Sequence, residues 1–249
     1  MTIWVTRPEP ANAVTSAALK KAGFEVVGLP VLEVRYTCPG LPEQRPDWIV
    51  FVSANAVRGL ETVGVPSGLR STVHVASVGS RTALEAANRG WNVELVPKSE
   101  NADGLLEVLH RADLVGRTVW IPSGNRDGSA RQLLPEALRA RGANVVTFGV
   151  YETLDRELAP SELAQLEGAD PGCMVFHSPS AVSAVFSPAP PLALRGWQRA
   201  DLVAIGPATV ARCREVRADR VWECAEPSDA ALLALITRVM HRITQEKSA

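Results

Sequence analysis

The sequence predicts an α/β protein built from two similar parallel-sheet halves, and three observations carry that prediction. Short apolar runs of strand length alternate with helical segments along the whole chain. That is the pattern of parallel strands joined by helical crossovers. One strand–serine–helix corner occurs twice, as I-V-F-V-S-A-N-A-V from Ile49 and as M-V-F-H-S-P-S-A-V from Met174. Four further segments echo one another: V-W-I-P-S-G at Val119 with I-W-V-T-R-P at Ile3, L-R-A-R-G-A-N-V-V at Leu138 with L-K-K-A-G-F-E-V-V at Leu19, S-V-G-S-R-T at Ser77 with A-I-G-P-A-T at Ala204, and N-A-D-G-L-L at Asn101 with S-D-A-A-L-L at Ser228.

The elements follow in order. Ile3–Val5 reads as a strand closed by Thr6-Arg7-Pro8, because proline fixes φ and removes a donor. A helix over 10–22 has apolar positions at Ala13, Val14, Ala17, Ala18 and Leu19 and ends at Gly23. Strands are expected over Phe24–Leu29 and over the alternating Val31–Tyr36, followed by a proline-rich loop from Thr37 to Pro46. Ile49–Val52 is a buried strand, and Ser53 is placed to cap a helix over 54–63. Val73–Val78, a helix from Ser80 to Asn88, Trp91–Val96 and a helix from Ala102 to Ala112 complete the middle of the chain. Val119–Ile121 is read as a strand that stops at the turn Pro122–Gly128. A helix near Ser129 to Gly142, a strand from Asn144 to Tyr151 and a polar, partly helical stretch to Gly172 follow. The last part gives strands at Met174–Phe176, Leu202–Ile205 and Val221–Trp222. Helices start at Ser178, at Pro207 and near Asp229, the last ending about Thr244 with five frayed residues after it.

Bulk properties narrow the function. The 249 residues are 46% apolar, enough for a sizeable core, and the net charge is −1. This gives no electrostatic footprint for nucleic acid or an anionic membrane. No apolar run has transmembrane length, and the start M-T-I-W-V-T-R-P lacks a secretory pattern. Cys38, Cys173, Cys213 and Cys224 show no paired spacing and read as free, buried or half-buried thiols. A cytoplasmic protein is the expectation.

Ligands in such sheets bind at the carboxyl ends of the strands. Ser53, Ser80, Thr82, Asn101, Ser123, Ser178, Ser180 and Thr209 fall at those strand–helix junctions, with Asn55, Gly124 and Gly206 beside them. Free backbone N–H groups and the positive dipole end make such a junction an anion site. As a set they point to a ligand with several carboxylates or phosphates. The competing reading is that each hydroxyl only caps its helix. Arg7, Arg81 and Arg126 lie at the same ends, as anion partners or as solvated charges. Tyr151 is one of two tyrosines and ends a strand where the halves meet. It could donate a proton to a leaving oxygen, or be an interface tyrosine. His177 lies beside a strand end, but a structural role is the better reading for a lone histidine. No Walker loop, H-E-x-x-H, C-x-x-C or G-x-S-x-G is present, and Thr6-Arg7-Pro8 replaces a glycine-rich first turn.

The sequence resembles the uroporphyrinogen-III synthase family. The matching pieces are T-R-P at Thr6, F-V-S-A-N-A-V at Phe51, S-V-G-S-R-T-A at Ser77, S-G-N-R-D-G at Ser123, V-Y-E-T at Val150, F-H-S-P-S-A-V at Phe176 and I-G-P-A-T at Ile205. They span the chain in the family's order. Ser80-Arg81 and His177 depart from the usual residues. The resemblance implies two flavodoxin-like α/β domains, residues 1–36 with 155–249 and residues 37–154, joined by a two-stranded β-ladder of Val31–Tyr36 and Thr147–Leu154. It implies a cofactor-free, metal-free lyase, a monomer, that cyclises hydroxymethylbilane, a linear tetrapyrrole with eight carboxylates. Water is lost and ring D is inverted to give uroporphyrinogen III, by way of a spiro-pyrrolenine. Tyr151 would assist loss of the hydroxyl. Arg7, Ser53, Asn55, Ser80, Thr82, Asn101, Ser123, Gly124, Ser178, Ser180, Gly206 and Thr209 would hold the substrate, and the domains would close over it. The alternative reading is a non-catalytic two-lobed binding protein or regulator for a polyanionic small molecule. A Rossmann-type nucleotide enzyme is disfavoured by the missing glycine-rich turn.

Overall fold

Two sheets organise the protein. The computed structural model describes residues 1–37, 40–126, 128–186, 194–217, 219–226 and 228–248, with side chains for all of these except 128–132 and 248. Cys38, Asp127 and Pro227, read above as part of a loop, a turn and a helix start, lie outside the described residues, as does Ala249. The strands are β1 (Thr2–Val5), β2 (Glu25–Gly28), β3 (Leu32–Tyr36), β4 (Trp48–Phe51), β5 (His74–Ser77), β6 (Val93–Leu95), β7 (Thr118–Gly124), β8 (Asn144–Asp155), β9 (Pro171–Phe176), β10 (Asp201–Ala204) and β11 (Val221–Glu223). The helices are α1 (Ala11–Lys21), α2 (Ala54–Val63), α3 (Ser80–Ala87), α4 (Ala102–Leu109), α5 (Gly128–Ala140), α6 (Pro160–Glu167), α7 (Pro179–Val185), α8 (Pro207–Val216) and α9 (Asp229–Ser248).

One sheet has the order β11-β10-β9-β1-β2, and its neighbouring strands pair parallel. The other has the order β3-β8-β7-β4-β5-β6, parallel from β8 to β6. The first reads 2-1-3-4-5 in chain order, the flavodoxin-like arrangement. The second gives the same order when counting starts at β7. The two sheets are therefore circular permutations of one plan. The sequence echoes report this directly, since Val119 in β7 matches Ile3 in β1 and Ser77 at the end of β5 matches Ala204 at the end of β10.

β3 is the exception in direction. Arg156 N–H donates to Val31 O, and Thr37 N–H donates to Val150 O. The partners run in opposite senses, so β3 is antiparallel to β8 and Tyr36 stands opposite Tyr151. The chain divides into two compact units, Met1–Glu33 with Leu154–Ala249 and Val34–Thr153. Both cuts fall inside β3 and β8.

Each sheet is covered on both faces, which explains its near-continuous apolar strands. In the first unit Trp4, Met174, Phe176 and Leu202 pack with Val182, Val185 and Val210 of α7 and α8, while Ile3, Val175 and Val203 pack with Leu19 of α1 and Leu235, Ile236 and Val239 of α9. In the second, Ile49, Phe51, Val75 and Trp120 meet Val57 and Leu60 of α2, and Val50, Ala76 and Ile121 meet Leu105, Leu109, Leu134 and Leu138 of α4 and α5. Buried Trp4 and Trp197 pack edge to face at 5.5 Å, and their indole N–H groups donate to Leu29 O and Leu166 O at 2.8 and 2.9 Å.

Several expectations shift. β7 does not stop at Ile121 but runs through Pro122, Ser123 and Gly124, paired with β8. Its pairing with β4 covers only Val119 and Trp120. Pro122 thus sits where no ladder donor is needed on that side. β8 continues past Tyr151 to Asp155 because β3 flanks it. α9 does not fray after Thr244. Arg242 pairs with Glu246 at 2.6 Å and Lys247 with Asp170 at 2.7 Å, and the helix reaches Ser248. A short 3-10 turn at Trp197–Arg199 had no sequence signal. No helix among the described residues is long and apolar enough to cross a membrane.

Two tests follow from the packing. α2 lies on β8 through Gly59, where a Cβ would come within 2.5 Å of Val150 O and 2.7 Å of its Cγ2. Alanine would gain about 1 kcal/mol of helix propensity, but overpacking costs about 1–3 kcal/mol. Gly59→Ala is therefore expected to lower the urea midpoint. Buried Cys173, Cys213 and Cys224 are free thiols. Desolvation pushes Cys213 up to about 12, and also raises Cys173 and Cys224. All three should resist a thiol reagent at pH 8 in native protein and react only after unfolding. Fast native labelling of Cys213, read by mass spectrometry, would contradict this packing.

Candidate active site

In each sheet the chain reverses its strand order at one point, between β7 and β4 in the second unit and between β1 and β9 in the first. The crevice beyond the carboxyl ends of strands at such a point is the usual ligand position.

In the second unit β4 ends at Phe51, and Ser53 follows with φ −162°. Its Oγ accepts from Ala56 N–H at 3.0 Å and caps α2. β7 brings Ser123, which is buried, and Gly124. The register with β8 shifts after Ser123–Gly149, so Gly124 pairs with Tyr151. A Cβ on Gly124 would overlap the Tyr151 ring at Cζ and Cε2 and lie 2.8 Å from Oη. Glycine is thus required by the close approach of the phenol. Tyr151 is only 5% exposed, and its Oη lies 3.1 Å from Ser53 Oγ. Tyr36 reaches the same helix turn, with Oη 3.4 Å from Asn55 Oδ1. Both tyrosines of the chain therefore converge on the start of α2. One turn on, Arg58 forks Glu85 of α3 at 2.8 and 2.9 Å. The Arg58 hydrogen bond holds the Glu85 carboxyl below its usual range against the opposing effect of burial, and the same bond raises Arg58.

The start of α3 is already occupied. Ser80 N–H donates to Glu100 Oε1 at 2.8 Å, and a Cβ on Gly79 would lie 2.6 Å from Glu100 Oε2. The protein's own carboxylate sits where a ligand carboxylate was expected. Thr82 is buried in the same helix, and Asn101 caps α4, its Oδ1 accepting from Gly104 N–H at 2.9 Å. In the echo of Asn101 with Ser228, the position of Glu100 falls on Pro227, a residue with no carboxylate. Ser228 Oγ caps α9 in the same way, accepting from Ala231 N–H at 3.2 Å.

In the first unit Arg7 follows β1 and is only 6% exposed. Nη1 donates to Thr15 Oγ1 at 2.9 Å, lies 3.3 Å from His177 Nε2, and is 3.9 Å from Asp229 Oδ1. The backbone beneath it is pinned. Thr6 Oγ1 donates to Val175 O at 2.7 Å, and Asn12 Nδ2 donates to Val5 O and Arg7 O. Ser178 Oγ accepts from Ala181 N–H at 3.3 Å and caps α7, with Ser180 half-buried in its first turn. Gly206 caps α8 with φ −174°, an extended conformation open to any residue, and a Cβ there would meet nothing within 4 Å. Thr209 is buried one turn on.

The structure thus brings Ser53, Gly124 and Tyr151 into one contact group, with Asn55 beside it. It groups Arg7 with His177 in the first unit and ties Ser80 to Glu100 in the second. Arg81 and Arg126 are exposed. Tyr36, Thr15 and Glu100 were not singled out from the sequence. Only Tyr36 carried a signal, as the other tyrosine in an alternating strand. His177, read as structural, lies against Arg7 at the strand ends. Chemically, a buried phenol beside a helix-capping hydroxyl can move a proton, and a pinned guanidinium can hold an anion. Among the described residues no cluster of His, Cys, Asp and Glu could hold a metal ion. A separate cavity of about 600 Å³, lined by Arg45, Trp48, His74 and Arg117, lies at the opposite, amino-terminal ends of β4, β5 and β7.

Comparison with known proteins agrees with this architecture. The family model described as Uroporphyrinogen-III synthase HemD matches residues 13–234. A relative from Methanothermobacter thermautotrophicus is 30% identical over 234 residues, 85% of this chain and 88% of its own. The uroporphyrinogen-III synthase of Chlorobaculum parvum is 27% identical over 198 residues, covering 74% and 78%. In fold, the chain is similar to the crystal structure of uroporphyrinogen-III synthetase from Helicobacter pylori 26695, with a TM-score of 0.66 at 19% identity over 96% of this chain and 98% of that one. With the family model running over most of its length, this chain belongs to the uroporphyrinogen-III synthase family.

Proposed function

We infer that this protein is a lyase that carries out its family's reaction. It cyclises hydroxymethylbilane with loss of water and inversion of ring D, giving uroporphyrinogen III. The observation that supports a mechanism is the Tyr151 phenol, buried against Gly124 and 3.1 Å from Ser53 Oγ at a strand-order reversal. A hydroxyl leaves readily only as water, so it needs a proton, and a phenol held out of bulk solvent can give one. The carbocation-like carbon left behind is attacked by the substrate's own pyrrole. The protein therefore needs to fold and shield the chain more than it needs a nucleophile.

Carboxylates suit Arg7, whose guanidinium is oriented by Thr15 and His177. In the first unit Ser178, Ser180, Gly206 and Thr209 are taken as further carboxylate contacts. In the second, Asn55, Ser123, Thr82 and Asn101 remain candidates. Ser80 is the weakest, because Glu100 holds its N–H. The same reading takes residues 1–36 with 155–249 and residues 37–154 as domains, and the chain as a cytoplasmic monomer. The free buried thiols support a reducing compartment.

The test is a product assay. The bilane is generated by its own synthase, this protein is added, and the oxidised uroporphyrin isomers are separated by chromatography. Isomer III should dominate over the isomer I formed spontaneously. Tyr151→Phe should lower kcat by about 10²–10⁴-fold with little change in KM. Isomer I alone would leave a binding protein on this scaffold.

A further inference from the structure

We propose that Ser53 is the positioning residue of the acid: its hydroxyl orients the Tyr151 phenol and stabilises the phenolate that forms when the proton is given away. The proposal rests on the reading of Tyr151 as the proton donor. It moves Ser53 out of the set of carboxylate ligands.

The argument starts from what the hydroxyl has to offer. A serine hydroxyl holds one hydrogen and two lone pairs. Ser53 Oγ spends a lone pair on Ala56 N–H at 3.0 Å. Among the described residues its other hydrogen-bond contact is Tyr151 Oη at 3.1 Å, where either oxygen could donate. When Ser53 donates, the hydrogen of the phenol is released from that contact and can point to a substrate. When Tyr151 donates instead, its proton is withheld. The reactive arrangement is therefore the one with Ser53 as donor.

The ring cannot drift out of this geometry on its other side. Gly124 of β7 lies against Cζ and Cε2 so closely that a single added Cβ would overlap them. The ring is held by backbone on one flank and by a helix cap on the other. The cap itself lies at the positive end of α2, where Ala56 N–H polarises the serine oxygen.

The step balances. The phenol proton passes to the leaving hydroxyl, the carbon–oxygen bond breaks with its electron pair on oxygen, and water departs. Tyr151 is left as phenolate, and the Ser53 hydrogen bond becomes charge-assisted. Ring closure then releases one proton as the pyrrole regains aromaticity, and that proton restores the phenol. A hydrogen bond to the charged form favours that form. Losing it should make the phenol harder to ionise and slow the chemical step without weakening substrate binding.

The experiment uses the full chain with three replacements. Ser53→Gly removes the hydroxyl but costs the helix cap only a few tenths of a kcal/mol. Ser53→Ala removes both hydroxyl and cap, and Ser53→Thr keeps both. Phenolate absorbance is titrated in the free protein, with Tyr151→Phe subtracted as baseline. Tyr36 on β3, Arg58 on α2 and Glu85 on α3 are charged or titratable groups around this turn among the described residues, and all stay unchanged across the series. Ser53→Gly and Ser53→Ala should both move the Tyr151 midpoint up by about one pH unit, the size of one hydrogen bond to a charged group. Their kcat should fall about tenfold or more with KM within about twofold, and Ser53→Thr should restore both midpoint and kcat. An unchanged midpoint with a raised KM would overturn the proposal and return Ser53 to the carboxylate ligands. A native protein that makes no isomer III would fail the underlying reading. An unshifted midpoint in a protein that does make isomer III fails this proposal alone.

Discussion

One irregularity in the second sheet decides where the Tyr151 phenol lies. β7 and β8 run in register from Thr118–Asn144 to Ser123–Gly149, and then the register shifts so that Gly124 pairs with Tyr151. Side chains alternate faces along a strand, so a slip of one residue exchanges the face presented. Without the shift Val150 would stand at Gly124, and the phenol would not lie over that glycine. Bulges of this kind re-aim side chains near functional sites. Gly124 accepts the ring, Ser53 meets its oxygen, and the start of α2 completes the group. Each of these contacts depends on that one residue of register.

The two sheets share a strand order under permutation, yet their reversal points carry different chemistry. Arg7 and His177 occupy in the first unit the places that Ser123 and Val52 hold by the sequence echoes in the second. One end has a guanidinium pinned by Thr15 and by the Asn12 contacts to the backbone. The other has a phenol pinned by backbone and a helix cap. A duplicated scaffold fixes the same strand ends twice, and only the side chains placed there need differ. A guanidinium and a phenol are thereby placed on separate copies of one structural corner.

The helix N-termini are likewise unequal. Seen as sequence, Gly79 and Gly206 follow strands in the same way, and Ser80 matches Pro207. In the structure α3 has its first N–H taken by Glu100, whereas the echo of that residue before α9 is a proline. An N-terminus that already holds a carboxylate has little further attraction for an anion, because its dipole and its N–H are satisfied. The capping reading of Asn101, Ser178 and Ser53 and the ligand reading are not exclusive: each accepts a capping hydrogen bond, and Ser53 also meets Tyr151 Oη.

What the sequence determined by itself was local and periodic. Apolar runs, turn residues and helix caps located the strands and helices, and the echoes disclosed the duplication, because burial on both faces leaves a continuous apolar signature that any one segment displays. The strand–serine–helix corners at Ser53 and Ser178 were legible for the same reason. What only the tertiary structure decided depends on residues far apart in the chain. The register that seats Tyr151 on Gly124 is set by pairing between strands, as is the opposition of Tyr36 to Tyr151. The Arg7–His177 contact spans 170 positions, and Glu100 fills a helix start twenty positions before it in sequence. Even the length of β7 beyond Pro122 and of α9 beyond Thr244 follows from partners, β8 for one and Asp170 for the other. A sequence carries propensity and pattern in neighbouring residues, whereas a site is made by groups that meet only once the sheets have formed.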